Sequence, residues 1–375
     1  MTSASTVAVT GDVSVAYPDL ITFTTGVFEH HGVPAARART AAEALCHGDL
    51  TGVRSHGLAN LTRLYLPLFA EGRADPVAEP RVLADRGASV LLDGGRALGL
   101  WLAAEAVDLA VERAREHGVG LVSIRNATHF GCAGFHAARA VPHDMVGLLA
   151  GNCGRQRIAR PPGARPALLG TNPLSIAAPA GPHHPFVLDM STTVVPTGRI
   201  RAAERAGETI PVGWLEDTGG RAVTDPGALD RREAYVQWLG GSPETGAFKG
   251  YGLALLVEVL AAAVAGAGLG PDPEAFGGDG GPTGRDDDIG VFALAVAPGE
   301  LRGADGFRQT VTGLFGALLD SPAVRPGQAV RYPGWYEAER AGEYRRDGVP
   351  LGAALAAELR TVAEQTGVAF PEVAR

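Results

Sequence analysis

Two short stretches carry residue types suited to chemistry. The first is Arg54-Ser55-His56-Gly57. A histidine titrates near neutrality and can pass a proton to a carbonyl oxygen or an imine nitrogen. Ser55 can hydrogen-bond the ring, and Gly57 leaves space beside it. A helix-capping serine followed by an ordinary polar histidine has the same spelling. The second is Phe248-Lys249-Gly250-Tyr251-Gly252-Leu253. Lys249 is the single lysine in a chain with 33 Lys and Arg residues, which suggests a position needing a compact ammonium on a flexible stem. A lysine and free backbone N–H groups at a helix start suit phosphate or carboxylate. A lone lysine on a helix shoulder is the plainer alternative.

Two further segments have chemical potential. Asp189 follows the apolar Phe186-Val187-Leu188, and a carboxylate at a strand mouth can orient an imidazole or cap the next turn. His129-Phe130-Gly131 falls where a strand gives way to a helix, a place where α/β proteins hold ligands. A partly buried, helix-capping histidine fits there equally well.

The elements that must position these residues follow from periodicity. Residues 1–16 read as frayed or as a short edge. Pro18 and Pro34 open two helices, and a third runs from about Leu58 to Ala70, where Gly72 and Pro76 stop it. Strands are expected between Arg81 and Gly95, a long amphipathic helix from Leu98 to His117, a strand Val119 to Ile124, and another Met145 to Ala150. Residues 154–185 read as loop and short strand, and Gly198 to Ala247 as polar and turn-rich, with a hairpin turn at Asp217-Thr218-Gly219-Gly220. Tyr251 to Ala265 reads as a buried helix. Gly277 to Gly284 with Asp286-Asp287-Asp288 reads as an acidic loop, Ile289 to Val296 as a strand, Phe307 to Leu319 as a helix, Arg325 to Tyr336 as extended chain, and Val349 to Gln365 as the last helix. Strand and helix alternation gives an α/β or α+β class. The division expected is an N-terminal helical part (1–80), an α/β region for cofactor and substrate (81–300), and a C-terminal helical part (301–375) packing back on the first.

Composition sets bounds. A chain of 375 residues with net charge −8 is large enough for a substantial core and has no basic patch for nucleic acid. Its longest apolar runs are shorter than a membrane span. Three cysteines give neither a disulfide framework nor metal spacing, so a cytoplasmic protein is expected. Gly118-Val119-Gly120 is no dinucleotide fingerprint, because Ser123 holds the sixth position and the glycines precede a strand. His183-His184 and the Asp286 run read as solvated loops, and no metal is expected. A metal-dependent hydrolase or lyase using His129, His136, His183 and His184 is kept as an alternative, as is a ligand-binding protein without turnover.

Six segments in order resemble one family: Asp49 to Gly57, Asn126 to Gly131, Gly170-Thr171-Asn172-Pro173, Leu188-Asp189-Met190-Ser191-Thr192, Leu239-Gly240-Gly241 with Phe248 to Leu253, and Ile289 to Phe292. Together they resemble the non-Rossmann malate/L-lactate dehydrogenase family, which includes sulfolactate and ureidoglycolate dehydrogenases and Δ1-piperideine-2-carboxylate reductase. The resemblance implies a largely antiparallel sheet flanked by helices, and a homodimer with its site near the interface. It implies hydride exchange between NADPH or NADH (NADPH taken first) and a 2-oxo acid or cyclic imine carboxylate. His56 would be the proton donor, with Ser55 and Asp189 as relay partners. His129, Phe130, Gly131, Thr171, Met190, Ser191, Phe248, Lys249 and Gly250 would line the cofactor and substrate pocket. Two positions depart from the pattern. Asn60 stands where relatives often carry an arginine for the substrate carboxylate, leaving Arg54 or Arg63 to replace it. Phe248 stands where histidine is common.

Overall fold

Alternation of side chains along the strands and of elements along the chain builds a three-layered molecule. The computed structural model describes residues 12–271 and 287–372; the run Gly277 to Gly284 and Asp286 lie outside the described residues. Strand β1 (Val13–Val15) leads into α1 (Tyr17–His30), with Pro18 in its first turn, and α2 (Ala35–Leu50), capped by Pro34. A 3-10 turn, Arg54–His56, and a π-turn, Leu61–Tyr65, precede the short α3 (Leu66–Ala70). Next come β2 (Arg81–Asp85), β3 (Ser89–Asp93), α4 (Gly99–His117), β4 (Val119–Ala127), α5 (Ala133–Ala137), β5 (Val146–Gly151), β6 (Leu174–Ala178) and β7 (Phe186–Met190). Helix α6 (Thr197–Ala206), β8 (Leu215–Asp217), β9 (Ala222–Val223) and β10 (Ala234–Val236) form a smaller unit. Helix α7 (Ala247–Val257) runs on as a π-turn, Glu258–Ala263, and is followed by β11 (Ile289–Val296). The chain closes with α8 (Pro298–Arg302), α9 (Ala304–Leu319), α10 (Trp335–Asp347), β12 (Val349–Leu351) and α11 (Ala353–Thr366).

Seven strands make the central sheet in the order β2-β3-β4-β11-β5-β6-β7. Only β3–β4 is a parallel pair; the others run antiparallel. The two-residue period sends Val291, Ala293, Ala295, Val122, Ile124 and Leu149 to one face, into the core shared with α1, α2 and α4. Phe292, Leu294, Leu121, Leu148 and Ala150 go to the other face, against Val257 and Ala261. Close approach is made possible by glycine: a Cβ on Gly120 would lie 1.9 Å from the Ala110 carbonyl oxygen, and one on Gly290 2.1 Å from that of Ala261.

Several expectations are corrected. Val349–Leu351 is a strand, paired antiparallel with β1, and the last helix begins after it at Ala353. A β-branched residue, a proline and the pairing partner Val13–Val15 favour extended chain there. Helices α6 and α10 were not foreseen. Gly198 at the start of α6 and the Pro/Gly punctuation before Trp335 hide helices that end on left-handed Gly207 and on Gly348. The segment after Tyr251 is only half buried: Leu255, Leu256, Val259 and Val264 are exposed, as is Phe248 just before it. The sheet covers one side of this helix, and among the described residues these apolar side chains on the other side stay exposed. Among the described residues no helix is long and apolar enough to cross a membrane, and the three cysteines are free.

Candidate active site

The N-terminal helices bring one half of the site together. The 3-10 turn holds Ser55 Oγ 2.9 Å from His56 Nδ1. Asp49 fixes the turn's exit by accepting the Leu58 N–H at 2.6 Å. Helix α6 leans on the same turn, where a Cβ on Gly198 would meet Ser55 Cβ at 2.8 Å. The ring of His56 lies parallel to that of His129, 6.0 Å away. His129 Nδ1 stands 2.7 Å from the Tyr65 hydroxyl and accepts the Gly131 N–H at 3.3 Å. Two donors aimed at Nδ1 leave the proton of a neutral ring on Nε2.

Electrostatics keep His56 neutral. Burial lowers its pKa to about 3, and the neighbouring His129 and the Arg63 guanidinium push in the same direction. The residue nonetheless retains some accessible surface. Asp189 is exposed by area, yet crowding around its carboxyl group raises its pKa to about 6. The Gly134 N–H opposes that rise, and Glu337 adds to it. The Asp189 carboxylate accepts this N–H at 2.7 Å, at the start of α5. In this structure the Asp189 carboxylate caps α5 and makes no hydrogen bond to His56.

The second half of the site is a knot of backbone hydrogen bonds. Thr192 donates both its N–H and its Oγ1 hydrogen to the Thr171 carbonyl, each at 2.9 Å. Leu239 N–H donates to Thr192 O at 3.0 Å, and Gly250 N–H to Leu239 O at 3.1 Å. Four segments that are far apart in sequence thus meet at one place. Gly250 must be glycine, since a Cβ there would stand 2.5 Å from the backbone of Leu239 and 2.7 Å from Thr192 O. Lys249 and Phe248 project outward from this knot, both exposed, with the ammonium 5.9 Å from the Phe248 ring centre. Among the described residues no carboxylate pairs with Lys249. An exposed cation over a tight glycine turn fits the phosphates of a dinucleotide.

Other expected residues divide. Met190 and Thr171 are half-buried at the edge of this knot, and Thr171 Oγ1 contacts Cys153 Sγ at 3.3 Å. Ser191 spends its hydroxyl on the Thr193 carbonyl. Phe130 is 4 % exposed, a Cβ on Gly151 would sit 2.3 Å from its ring, and its carbonyl accepts from His136 Nε2. Its ring belongs to the core. Arg54 reaches Pro350 O at 3.4 Å. Asn60 engages its amide internally: Nδ2 donates to Ser55 O at 3.0 Å, and Oδ1 accepts from Arg63 at 2.5 Å.

Sequence reasoning missed Tyr65, which reads as one more apolar residue in the run Leu61 to Ala70. It also missed Glu258, a buried carboxylate on the π-turn that accepts from Asn152 at 3.2 Å and Asn172 at 2.9 Å and ties the end of β5 to the Thr171 loop. The four histidines of the metal alternative do not converge on one place. His129 lies by Tyr65, His136 lies under Phe130, and His183 and His184 lie beside Trp335. Among the described residues no group of three or more potential ligands forms. A cavity at the end of β4 includes neither His56 nor Lys249. Its walls are internally paired, Arg125 with Asp93 at 3.1 Å and Arg73 with Asp287 at 2.7 Å.

The family profile described as malate/L-lactate dehydrogenase matches residues 15–360. The chain belongs to the malate/L-lactate dehydrogenase family. It is 31% identical over 342 residues to an L-sulfolactate dehydrogenase of Methanocaldococcus jannaschii, spanning 91% of this chain and 94% of that one. It is 30% identical over 291 residues to a Δ1-pyrroline-2-carboxylate/Δ1-piperideine-2-carboxylate reductase of Pseudomonas putida, spanning 78% and 82%. The crystal structure of malate dehydrogenase from Entamoeba histolytica superposes with a TM-score of 0.88 at 26% identity, covering 96% of this chain and all of that one. This family member is an NAD(P)-dependent oxidoreductase, and its mixed fold with a mostly antiparallel central sheet is that of its structural neighbours.

Proposed function

We propose that the enzyme exchanges a hydride between NADPH or NADH, NADPH first, and a 2-oxo acid or cyclic imine carboxylate, with His56 handling the proton. The observation that carries this reading is the neutral His56, enclosed between Ser55 and His129 with a guanidinium nearby. When bound, the nicotinamide supplies or accepts the hydride. In the oxidative direction neutral His56 takes the proton from the hydroxyl or amine. In the reductive direction the imidazole must carry a proton, and an anionic substrate beside it favours that charged form. Ser55 orients the ring through Nδ1, and His129 packs against its face. Lys249, with Phe248, Gly250 and the Thr171 and Met190 turns, is assigned to the cofactor, while Asp189 shapes the pocket through α5. The exposed apolar stripe of Phe248, Leu255, Leu256, Val259 and Val264 supports a homodimer through α7. Free cysteines suit a reducing cytoplasm.

The test is a turnover screen of 2-oxo acids and cyclic imines with both cofactors, on wild type and His56→Ala. The variant is expected to lose about 10²- to 10⁴-fold in turnover while its cofactor affinity stays within about twofold. Full turnover by the variant removes His56 from the mechanism.

A further inference from the structure

A substrate carboxylate needs a fixed cation near His56, and the residues around Asn60 determine which one. Asn60 is 2 % exposed and joins two groups: its Nδ2 holds the carbonyl of Ser55, the residue next to His56, and its Oδ1 holds an Arg63 guanidinium nitrogen. The amide therefore ties the position of Arg63 to that of the catalytic turn. Arg63 sits in the π-turn Leu61–Tyr65; such an insertion re-aims side chains and is common at functional sites. The same turn supplies Tyr65 to His129.

Arg63 is also short of negative charge. It lies among Arg201 and Arg205 of α6, both of which repel it, and the nearby Asp230 is engaged by Arg201 at 2.7 Å. Among the described residues no carboxylate lies within ion-pair distance of Arg63, its side chain is exposed, and its charge is felt by His56. Arg54, the other arginine adjoining the turn, is directed to the Pro350 carbonyl.

We propose that Arg63, aimed by Asn60, is the cation that receives the substrate carboxylate, and that Asn60 is its positioning residue. This assignment rests on the oxidoreductase reading above. It moves the anchoring residue three positions along the chain from position 60, while the guanidinium reaches back to the Asn60 amide. The guanidinium fork suits a planar carboxylate.

The experiment separates this from the wider reading by measuring two ligands. NADPH binding is followed by fluorescence, and binding of oxamate, a carboxylate analogue of a 2-oxo acid, by calorimetry on the NADPH-loaded protein. Arg63→Ala is expected to weaken oxamate about 100-fold and to raise KM for carboxylate substrates by a similar factor, with kcat changed less and NADPH affinity unchanged. Millimolar guanidinium should restore part of the loss. Asn60→Ala, which keeps the charge but frees it, is expected to weaken oxamate about tenfold. Should either variant fold poorly, Arg63→Gln and Asn60→Asp replace them; Asp beside Arg63 neutralises it and should cost as much as losing the charge. Oxamate affinity within twofold of wild type in Arg63→Ala or Arg63→Gln overturns the assignment, as does no oxamate binding by wild type. Failure of the wild type to bind either nicotinamide cofactor would instead overturn the cofactor assignment.

Discussion

Around His56 the contacts that hold the site run between side chains: Ser55 to His56, Tyr65 to His129, Arg63 to Asn60. Around Lys249 they run almost wholly between backbone atoms, from Thr171 through Thr192 and Leu239 to Gly250, and the lysine itself is left exposed. The first arrangement suits a group whose protonation and ring orientation must be set within a small volume. The second suits a long, charged ligand that is held by shape and by one point charge. Side-chain deletions should therefore be felt in turnover on the histidine side. On the lysine side, backbone changes should be felt in folding and side-chain changes in cofactor affinity.

Gly250→Ala should produce the largest effect of the three changes that probe this contrast. The new methyl group meets backbone of Leu239 and Thr192 on two sides, and no flexible side chain is there to yield. Overpacking of this kind costs about 3 kcal/mol, so thermal unfolding should shift down by roughly 4 °C and cofactor binding should fall with it. A variant that melts with wild type would show that the knot is looser than its hydrogen bonds suggest.

Lys249→Ala comes next. It removes an exposed charge and leaves the knot intact, so the melting point should not move. The KM for the cofactor should rise about tenfold, equivalent to about 1.4 kcal/mol, with kcat within twofold. The loss should shrink as salt is raised, because an exposed charge is screened. Lys249→Arg should recover only part of the affinity, since a planar fork does not replace a compact ammonium. An equal loss in kcat would move Lys249 from the cofactor's phosphates to the reacting end.

The sequence made the chemistry-bearing residues legible more readily than their neighbours. Ser55, His56 and Lys249 stand out because their types are rare or reactive in their surroundings, and the central strands stand out through their period. Glu258 and Tyr65 did not, because each lies in a run whose hydropathy matches a helix and whose π-turn leaves no mark in composition. Asn60 was visible as a departure, but only the coordinates reveal that both ends of its amide are occupied. The helix after Tyr251 was read as buried because its residues are apolar. Apolarity says that a face seeks cover without saying whether the same chain or a second copy supplies it. Helix α10 was missed because glycine and proline before Trp335 signal a break, while the helix starts directly behind them.

Tyr65→Phe should be the mildest change, and it bears most closely on which histidine moves the proton. The ring that replaces Tyr65 fills the same fully buried space, and the Gly131 N–H still donates to His129 Nδ1, so the tautomer of His129 survives. What is lost is one hydrogen bond, about 1 kcal/mol, on a residue that only packs against His56. A decrease in kcat of about fivefold is expected, with unchanged KM for the cofactor. The variant is measured beside His56→Ala under the same conditions. If Tyr65→Phe lowers turnover as far as His56→Ala does, the proton is carried by His129, and the parallel ring of His56 becomes its support.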